Sequence, residues 1–316
     1  MATILITGGT GLVGKAVGQA LLKKGYKVII LSRQSGKNST IADLSYAQWN
    51  VDAQTIDRQA IEKADYIIHL AGAGVADKRW TKKRKQEIID SRVNSSQLII
   101  DSLKTIPNKV KAVVSASAIG WYGPDDLTPS PSPEREGSRL RKFIESDPAA
   151  SDFLGTTCKL WEESIEPVIQ KDIRLVKLRI GIVLSKDGGA LKEFLKPLKF
   201  GVAAILGNGK QIISWVHIDD LASMFVFAIE NENMNGSYNA VAPHPVSNKE
   251  LTIQLAKERK KLYIPIHVPS FILNMILGEM SIEVLKSTTV SSNKLNKEGF
   301  QFQFPAITTA LSELIA

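Results

Sequence analysis

One cysteine, four histidines and no long hydrophobic run remove several classes of protein from consideration for this chain of 316 residues. With Cys158 alone there is neither an intrachain disulfide nor a cysteine-built metal cluster, a usage that fits a reducing cytosol. The histidines, at 69, 217, 244 and 267, are scattered without ligand spacing, so no metal is expected. No apolar stretch approaches the length needed to cross a bilayer, and Met1-Ala2-Thr3 lacks the basic start of a secretory signal. The expectation is a cytoplasmic protein with no membrane partner. No internal repeat is visible. The net charge of +8 raises the question of nucleic acid, and its densest cluster runs from Lys78 to Lys85. No helix-turn-helix, zinc-finger or RNP pattern accompanies it, and successive helical cations cannot all face one groove. A solvated helix face is expected there, and no nucleic-acid partner, with Arg79 alone kept as a group for an anionic substrate.

What is present begins at the first strand. Thr7-Gly8-Gly9-Thr10-Gly11-Leu12-Val13-Gly14 follows the apolar Ile4-Leu5-Ile6. A buried strand that ends in close-set glycines and opens a helix presents backbone N–H groups and a partial positive charge to a pyrophosphate. Gly9, Gly11 and Gly14 fit G-x-G-x-x-G, and Gly8, Gly11 and Gly14 fit G-x-x-G-x-x-G. Gly8, Thr10, Gly11, Leu12, Val13 and Gly14 are the residues expected to hold the dinucleotide. Leu12, Val13, Ala16, Val17, Ala20 and Leu21 recur at helical spacing, and Lys23-Lys24-Gly25 reads as the cap that ends the helix.

A second strand, Val28-Ile29-Ile30-Leu31, ends where an NAD site places an acidic residue on the ribose 2′-hydroxyl. Here Ser32-Arg33 stands instead. A guanidinium suits a 2′-phosphate, so the cofactor is expected to be NADP(H), with Lys37 and Asn38 as helpers.

Strand and helix signals alternate through the first half, with strands at Tyr66–Ala71, Val110–Ser115 and Leu175–Arg179 and a helix from Lys82 to about Lys104. Residues 124–150 hold Pro124, Pro129, Pro131 and Pro133 among serines and charges and read as a loop or lid. From about Pro243 short helices and turns take over. The pattern predicts an α/β, doubly wound parallel sheet of Rossmann type with a smaller C-terminal α/β lobe. Residues 1–185 with 212–242 would form the NADP-binding part, and 186–211 with 243–316 the lobe on the substrate side.

These residues resemble the extended short-chain dehydrogenase/reductases. The resemblance rests on Thr7-Gly8-x-x-Gly11-x-x-Gly14, His69-Leu70-Ala71-Gly72, Ser115-Ala116-Ser117-Ala118 with Tyr122-Gly123-Pro124, and Trp215-Val216-His217-Ile218-Asp219-Asp220-Leu221. Lys78-Arg79-Trp80-Thr81, Ser91-Arg92, Trp161-Glu162, Gly207-Asn208-Gly209-Lys210-Gln211 and the segment Asn293 to Phe302 are similar to a narrower group labelled epimerase family proteins. Residues 129–143 match poorly and look like an insertion. The resemblance implies that Leu70, Ala71 and Gly72 pass beside the cofactor's riboses and that Val183 flanks the nicotinamide. It also implies that Glu87 and Arg92 face the cofactor from one helix and that Ser117 polarises a substrate carbonyl. Sugar nucleotides are the superfamily's commonest ligands, so a small-molecule substrate of that kind is implied. Relatives often pair through helices like 82–104 and 152–170, which leaves a homodimer open.

One departure bears on activity. The superfamily's Tyr-x-x-x-Lys pair is absent: the six tyrosines are followed four residues later by Ile30, Asn50, Leu70, Asp126, Ala242 and His267. Aligned on Trp161-Glu162, Leu154 takes the tyrosine position and Cys158 the lysine position. Losing a positioned proton donor costs a factor of about 10² to 10⁴. Tyr122, water or the substrate would have to replace it. His69 reads as structural, His217 as part of a turn in which Asp219 or Asp220 caps the next helix, and Cys158 as packed. Arg79, Trp80, Trp121, Arg179 and Trp215 are pocket liners or core. Two functions follow: an NADP(H)-dependent oxidoreductase or epimerase-like enzyme with Ser117 and Tyr122 at its centre, or a cofactor-binding regulator or scaffold without chemistry.

Overall fold

The structure is a computed structural model that describes residues 1–34, 36–125 and 141–316. In chain order the first part contains β1 (Thr3–Thr7), α1 (Leu12–Lys23), β2 (Lys27–Ser32), β3 (Leu44–Asn50), β4 (Thr55–Ile56), α2 (Arg58–Lys63), β5 (Tyr66–His69), α3 (Lys82–Thr105), β6 (Ala112–Ala118), α4 (Phe153–Ile165) and β7 (Arg174–Ile180). There follow β8 (Ile182–Ser185), β9 (Gly188–Gly189), α5 (Ala190–Leu198), β10 (Val202–Leu206), β11 (Ile212–Ile213), β12 (Trp215–His217), α6 (Ile218–Glu230) and β13 (Gly236–Ala240). The last part is β14 (Val246–Ser247), α7 (Asn248–Glu258), β15 (Ile264–Val268), α8 (Ser270–Leu277), α9 (Ser281–Leu285), α10 (Asn293–Lys297) and α11 (Ile307–Ile315).

An eight-stranded sheet runs β13-β7-β6-β5-β1-β2-β3-β4, and its pairs are parallel except β3 with β4. The reason lies in β1. Side chains alternate across a strand, and both faces here are apolar: Ile4 and Ile6 join a core with Val17 and Leu21 of α1 and Leu221 and Phe225 of α6. Leu5 points the other way, into a core with Ile61 of α2 and Leu98 and Ile99 of α3. A sheet buried on both sides needs helices on both sides, and the sequence alternation supplies them. The expected helix at Lys82 is present, opened by Thr81, whose hydroxyl accepts from the Arg84 N–H at 3.1 Å. Gly25 turns α1 back with φ +83°, and the Tyr26 N–H closes onto the Leu21 carbonyl at 3.1 Å.

A third core, with Trp215, Leu191, Leu198, Ala203, Leu251, Leu255 and Leu311, gathers α5, β10, α7 and α11. β10 pairs in parallel with β15, and β8 lies between β12 and β9. Much of the stretch read as a lid or an insertion, 126–140, lies outside the described residues. Beyond it, Phe143 stacks on Tyr122 at 5.1 Å between ring centres, and its N–H donates to the Thr289 carbonyl at 2.7 Å.

Candidate dinucleotide site

The connections leave the sheet in opposite directions from β1 and β5, so a crevice opens at the carboxyl ends of these neighbours, where Thr7 is in register with His69. The glycine loop occupies it. Gly8 takes φ +65°, and a Cβ there would stand 2.8 Å from the Leu70 carbonyl carbon and oxygen; one on Gly14 would stand 2.3 Å from the Gly8 oxygen. Nothing larger than glycine fits either place. The first helical bond of α1 is Lys15 N–H to the Gly11 carbonyl at 3.0 Å, which leaves the N–H groups of Leu12, Val13 and Gly14 outside the ladder. Gly11 offers no side-chain cap and the first turn holds no acidic residue. The residues therefore fit a pyrophosphate: a loop in which Gly8 and Gly14 leave no room for a Cβ, at the positive end of a helix. Thr10 and Gly11 are exposed at its rim, and the β8–β9 hairpin reaches the start of α1, since a Cβ on Gly189 would stand 3.2 Å from Leu12.

Thr7 fixes the neighbouring loop. Its hydroxyl accepts from the N–H groups of Leu70 (3.0 Å) and Ala71 (3.1 Å) and so donates its own hydrogen to His69 Nδ1 at 2.8 Å. Ser96 donates its hydroxyl hydrogen to the Arg92 carbonyl, which makes its oxygen the acceptor for His69 Nε2–H at 3.2 Å. Burial lowers His69 to about 3, and Arg92 acts in the same direction. The imidazole is a neutral strut.

α3 supplies the rest of that loop's support. Ser91 accepts from the Ala73 N–H at 2.9 Å, Arg92 Nη1 donates to the Ala73 carbonyl at 3.1 Å, and Arg84 donates to the Gly74 carbonyl. Gly72 is exposed, with Arg92 against it. Glu87, expected to face a cofactor, is exposed and pairs with Arg84 at 2.8 Å, which holds its carboxyl below the usual range. At the end of β2 the Ser32 hydroxyl accepts from the Gln34 N–H at 3.1 Å, and Arg33 is exposed. Lys37 lies 4.7 Å over the Tyr46 ring. Val183 is half-buried on β8, in register with Val216.

Ser117 and Tyr122, expected to touch substrate, are committed elsewhere. They are 2% and 0% exposed. Ser117 donates to Glu162 Oε1 at 2.7 Å; Arg179 grips the same carboxylate through Nε at 2.8 Å and Nη2 at 3.1 Å, and Ser237 donates to it at 3.1 Å. Tyr122 donates to Asn239 Oδ1 at 2.7 Å and accepts from Arg179 Nη1 at 3.0 Å, and burial pushes its phenol up to about 12. Their hydroxyl hydrogens serve this network. Leu154 and Cys158 pack against Gly120, and burial pushes the thiol up to about 12. Neither is an acid or base at neutral pH.

The aromatic and basic liners divide. Trp215 is core, with Nε1 on the His244 carbonyl at 3.0 Å, and Arg179 lies 3.7 Å over Trp121. Arg79 reaches the C-terminal segment, where Nε donates to the Ile276 carbonyl at 2.9 Å at the end of α8. His217 itself caps α6, its Nδ1 accepting from the Asp219 N–H at 3.2 Å, in place of the aspartate cap expected. Asp220 instead accepts from the N–H groups of Gln303 (2.8 Å) and Phe304 (3.0 Å). The roles of Glu162, Asn239 and Asp220 escaped sequence reasoning; only the Trp161-Glu162 pair hinted at the first.

Comparison with known proteins agrees with this architecture. Residues 4–144 match the NAD dependent epimerase/dehydratase family, and residues 268–314 match a domain of unknown function, DUF1731. The epimerase family protein YfhF of Bacillus subtilis is 34% identical over 317 residues, covering 99% of this chain and 98% of its own. Epimerase family protein SAR0825 of Staphylococcus aureus is 34% identical over 316 residues and the whole of both chains. The crystal structure of human epimerase family protein SDR39U1 (isoform 2) with NADPH superposes with a TM-score of 0.84 at 27% identity over 99% of each chain. A UDP-N-acetylglucosamine 4-epimerase from Bacillus cereus shares the fold, with a TM-score of 0.75 at 18% identity over 100% of this chain and 98% of its own. The chain belongs to the epimerase family proteins of the extended short-chain dehydrogenase/reductase type, a Rossmann-type α/β fold with a DUF1731 segment at its C-terminal end.

Proposed function

We propose that this protein binds NADP(H) against its glycine loop and acts on a small molecule, a sugar nucleotide being the first class to try, as an oxidoreductase or epimerase-like enzyme. The observation that carries the reading is the uncapped start of α1, where a loop with no room for a Cβ at Gly8 or Gly14 meets three N–H groups unused by the helix. In this reading Gly8, Thr10, Gly11, Leu12, Val13 and Gly14 hold the pyrophosphate. Ser32 and Arg33 take the 2′-phosphate end, Leu70, Ala71 and Gly72 let the riboses approach, and Val183 flanks the nicotinamide. A bound nicotinamide supplies hydride transfer. No described side chain among Ser117, Tyr122, Leu154 and Cys158 has a free proton to offer, so the proton comes from water or the substrate. The NADPH bound by the human relative supports the choice of cofactor. Calorimetric titration tests it: Arg33→Asp should weaken NADPH by about tenfold or more, roughly the value of one charge-assisted contact, and leave NADH nearly unchanged. Equal losses refute the phosphate assignment.

The buried commitments of Ser117 and Tyr122 favour a second reading, a cofactor-binding regulator. NADPH absorbance separates the two. An enzyme consumes the signal with some carbonyl compound, whereas a regulator binds NADPH and turns over none.

A further inference from the structure

Two helices, α5 and α7, end in sharp turns that leave apolar residues in water. α5 runs into β10 through Gly201 at φ +73°, and α7 runs towards β15 through Lys260 at φ +51°. The turns meet: the Ile264 N–H donates to the Gly201 carbonyl at 2.8 Å, and a Cβ on Gly201 would stand 3.5 Å from the Leu262 carbonyl oxygen. At the two tips Phe200 is 87% and Leu262 98% exposed. A side chain that open is touched by almost nothing of its own chain, so both protrude. The strands behind them continue the surface. In the parallel register Val202, Ala204 and Leu206 of β10 stand beside Ile264, Ile266 and Val268 of β15, all six on one face. Ala203 and Ile205 point the other way and are buried, Ala203 in the core with Leu191 of α5 and Leu251 of α7. On the outer face Ile264, at 67%, and Ile266 are exposed, and the other four are half-buried. Cations flank the tips. Lys196 and Lys199 precede Phe200, and Lys257, Arg259, Lys260 and Lys261 precede Leu262. The carboxylates in the same stretches are Glu193, paired with Lys196 at 2.6 Å, and Glu258. Six cations against two carboxylates leave a surplus of four, half of the chain's net +8. A contiguous apolar face of this kind marks an interaction site, and the charge around it selects the partner.

We propose that this apolar, basic tip seats on the surface of an anionic lipid bilayer, with Phe200 and Leu262 entering the acyl boundary and the lysines meeting the headgroup charge. Protruding apolar side chains among cations on flexible stems suit a flat interface that is apolar below and negative above. Lysine, five of the six cations, is depleted where proteins pack on proteins, and nucleic acid gives aliphatic tips nothing to enter. A second copy seated tip to tip would set like charges together, and Pro265 takes a donor from the free edge of β15. Among the described residues no helix is long and apolar enough to cross a bilayer, so the attachment is peripheral. The expectation of no membrane partner rests on the length of apolar runs; this patch is assembled from alternate residues of two strands far apart in the chain.

Cosedimentation of the full chain with vesicles tests the proposal, using phosphatidylcholine alone and phosphatidylcholine with an equal part of phosphatidylglycerol. The wild type should bind the anionic vesicles and not the neutral ones. Two double variants separate the contributions: Phe200→Ser with Leu262→Ser, and Lys199→Glu with Lys261→Glu. Each should lower the vesicle partition by about tenfold or more and, the side chains being exposed, leave the urea midpoint unmoved. If the serine pair lowers the midpoint, Leu262→Ser alone, at the more exposed tip, takes its place. No uptake by anionic vesicles overturns the proposal. Uptake that survives the serine pair also overturns it, as adsorption of a basic protein by charge alone. Sedimentation equilibrium and a labelled oligonucleotide supply the remaining outcomes. A dimer that the serine pair dissolves, or an oligonucleotide that the glutamate pair releases, with vesicles ignored by the wild type, makes the occupant a second copy or a nucleic acid and overturns the bilayer. The proposal is independent of the dinucleotide reading.

Discussion

At His69 the folded protein binds no proton until the pH falls to about 3, whereas the unfolded chain takes one near 6.5. The folded value is the depressed one, so the unfolded state holds more protons in between. Stability is complete above about pH 6.5 and drains as pH falls toward 3, by up to about 1.4 kcal/mol per pH unit. His69→Gln should flatten the acid limb of stability measured by denaturant titration at successive pH values; an unaltered limb refutes this. The glycines of α1 offer a paired experiment. Gly14→Ala puts a methyl 2.3 Å from the Gly8 oxygen and should cost about 2 kcal/mol or more, whereas at Gly18 an added methyl meets nothing within 4 Å. Gly18→Ala should be neutral or stabilise by about 0.5 to 1 kcal/mol. Urea midpoints check both.

Among the elements, the joint of α4 with β6 and β7 is held by one carboxylate. Glu162 and Arg179 are 5% and 3% exposed, and removing the charge from one leaves the other buried without it. Glu162→Gln should therefore destabilise by about 3 to 5 kcal/mol in equilibrium unfolding. A loss below 1 kcal/mol would mean that water reaches the pair. The same joint shows what the sequence could and could not tell. β1, β2, β5, β6 and β7 were legible because strands buried on both faces are built around apolar runs, even where β6 and β7 also carry serines, Arg174, Lys177 and Arg179. β3, with Ser45, Gln48 and Asn50 among its residues and one position buried, carries no such signature. Ser117 and Tyr122 were legible as positions but not as roles. Their partners, Glu162 and Asn239, lie 45 and 117 residues away, and spacing along the chain does not encode which hydroxyl a distant carboxylate or amide will occupy. The strand, glycine turn and helix of the loop were legible as structure, because their constraint is local.

Across the whole molecule, the C-terminal segment is tied back at several points. Asp125 accepts from the Thr289 N–H and hydroxyl and from the Ser287 hydroxyl, each at 2.7 Å; Asp220 holds Gln303 and Phe304; and Arg79 holds the end of α8. Asp125→Ala should raise amide hydrogen exchange across 286–292 while leaving β1 and β5 protected. Uniform exchange throughout would show that the segment is not an independent unit. The topology also sets a timetable. β1 precedes the other strands in the chain yet occupies the middle of the sheet, and Thr7 must wait 62 residues for His69. The hairpin that meets Leu12 is not translated until Gly188 and Gly189. Until those residues are made the crevice lacks a wall, and nonlocal parallel pairing of this kind is slow to form. In the proposed reading a coenzyme meets its whole site only once Gly188 and Gly189 are in place, and so stabilises the finished protein rather than an early intermediate.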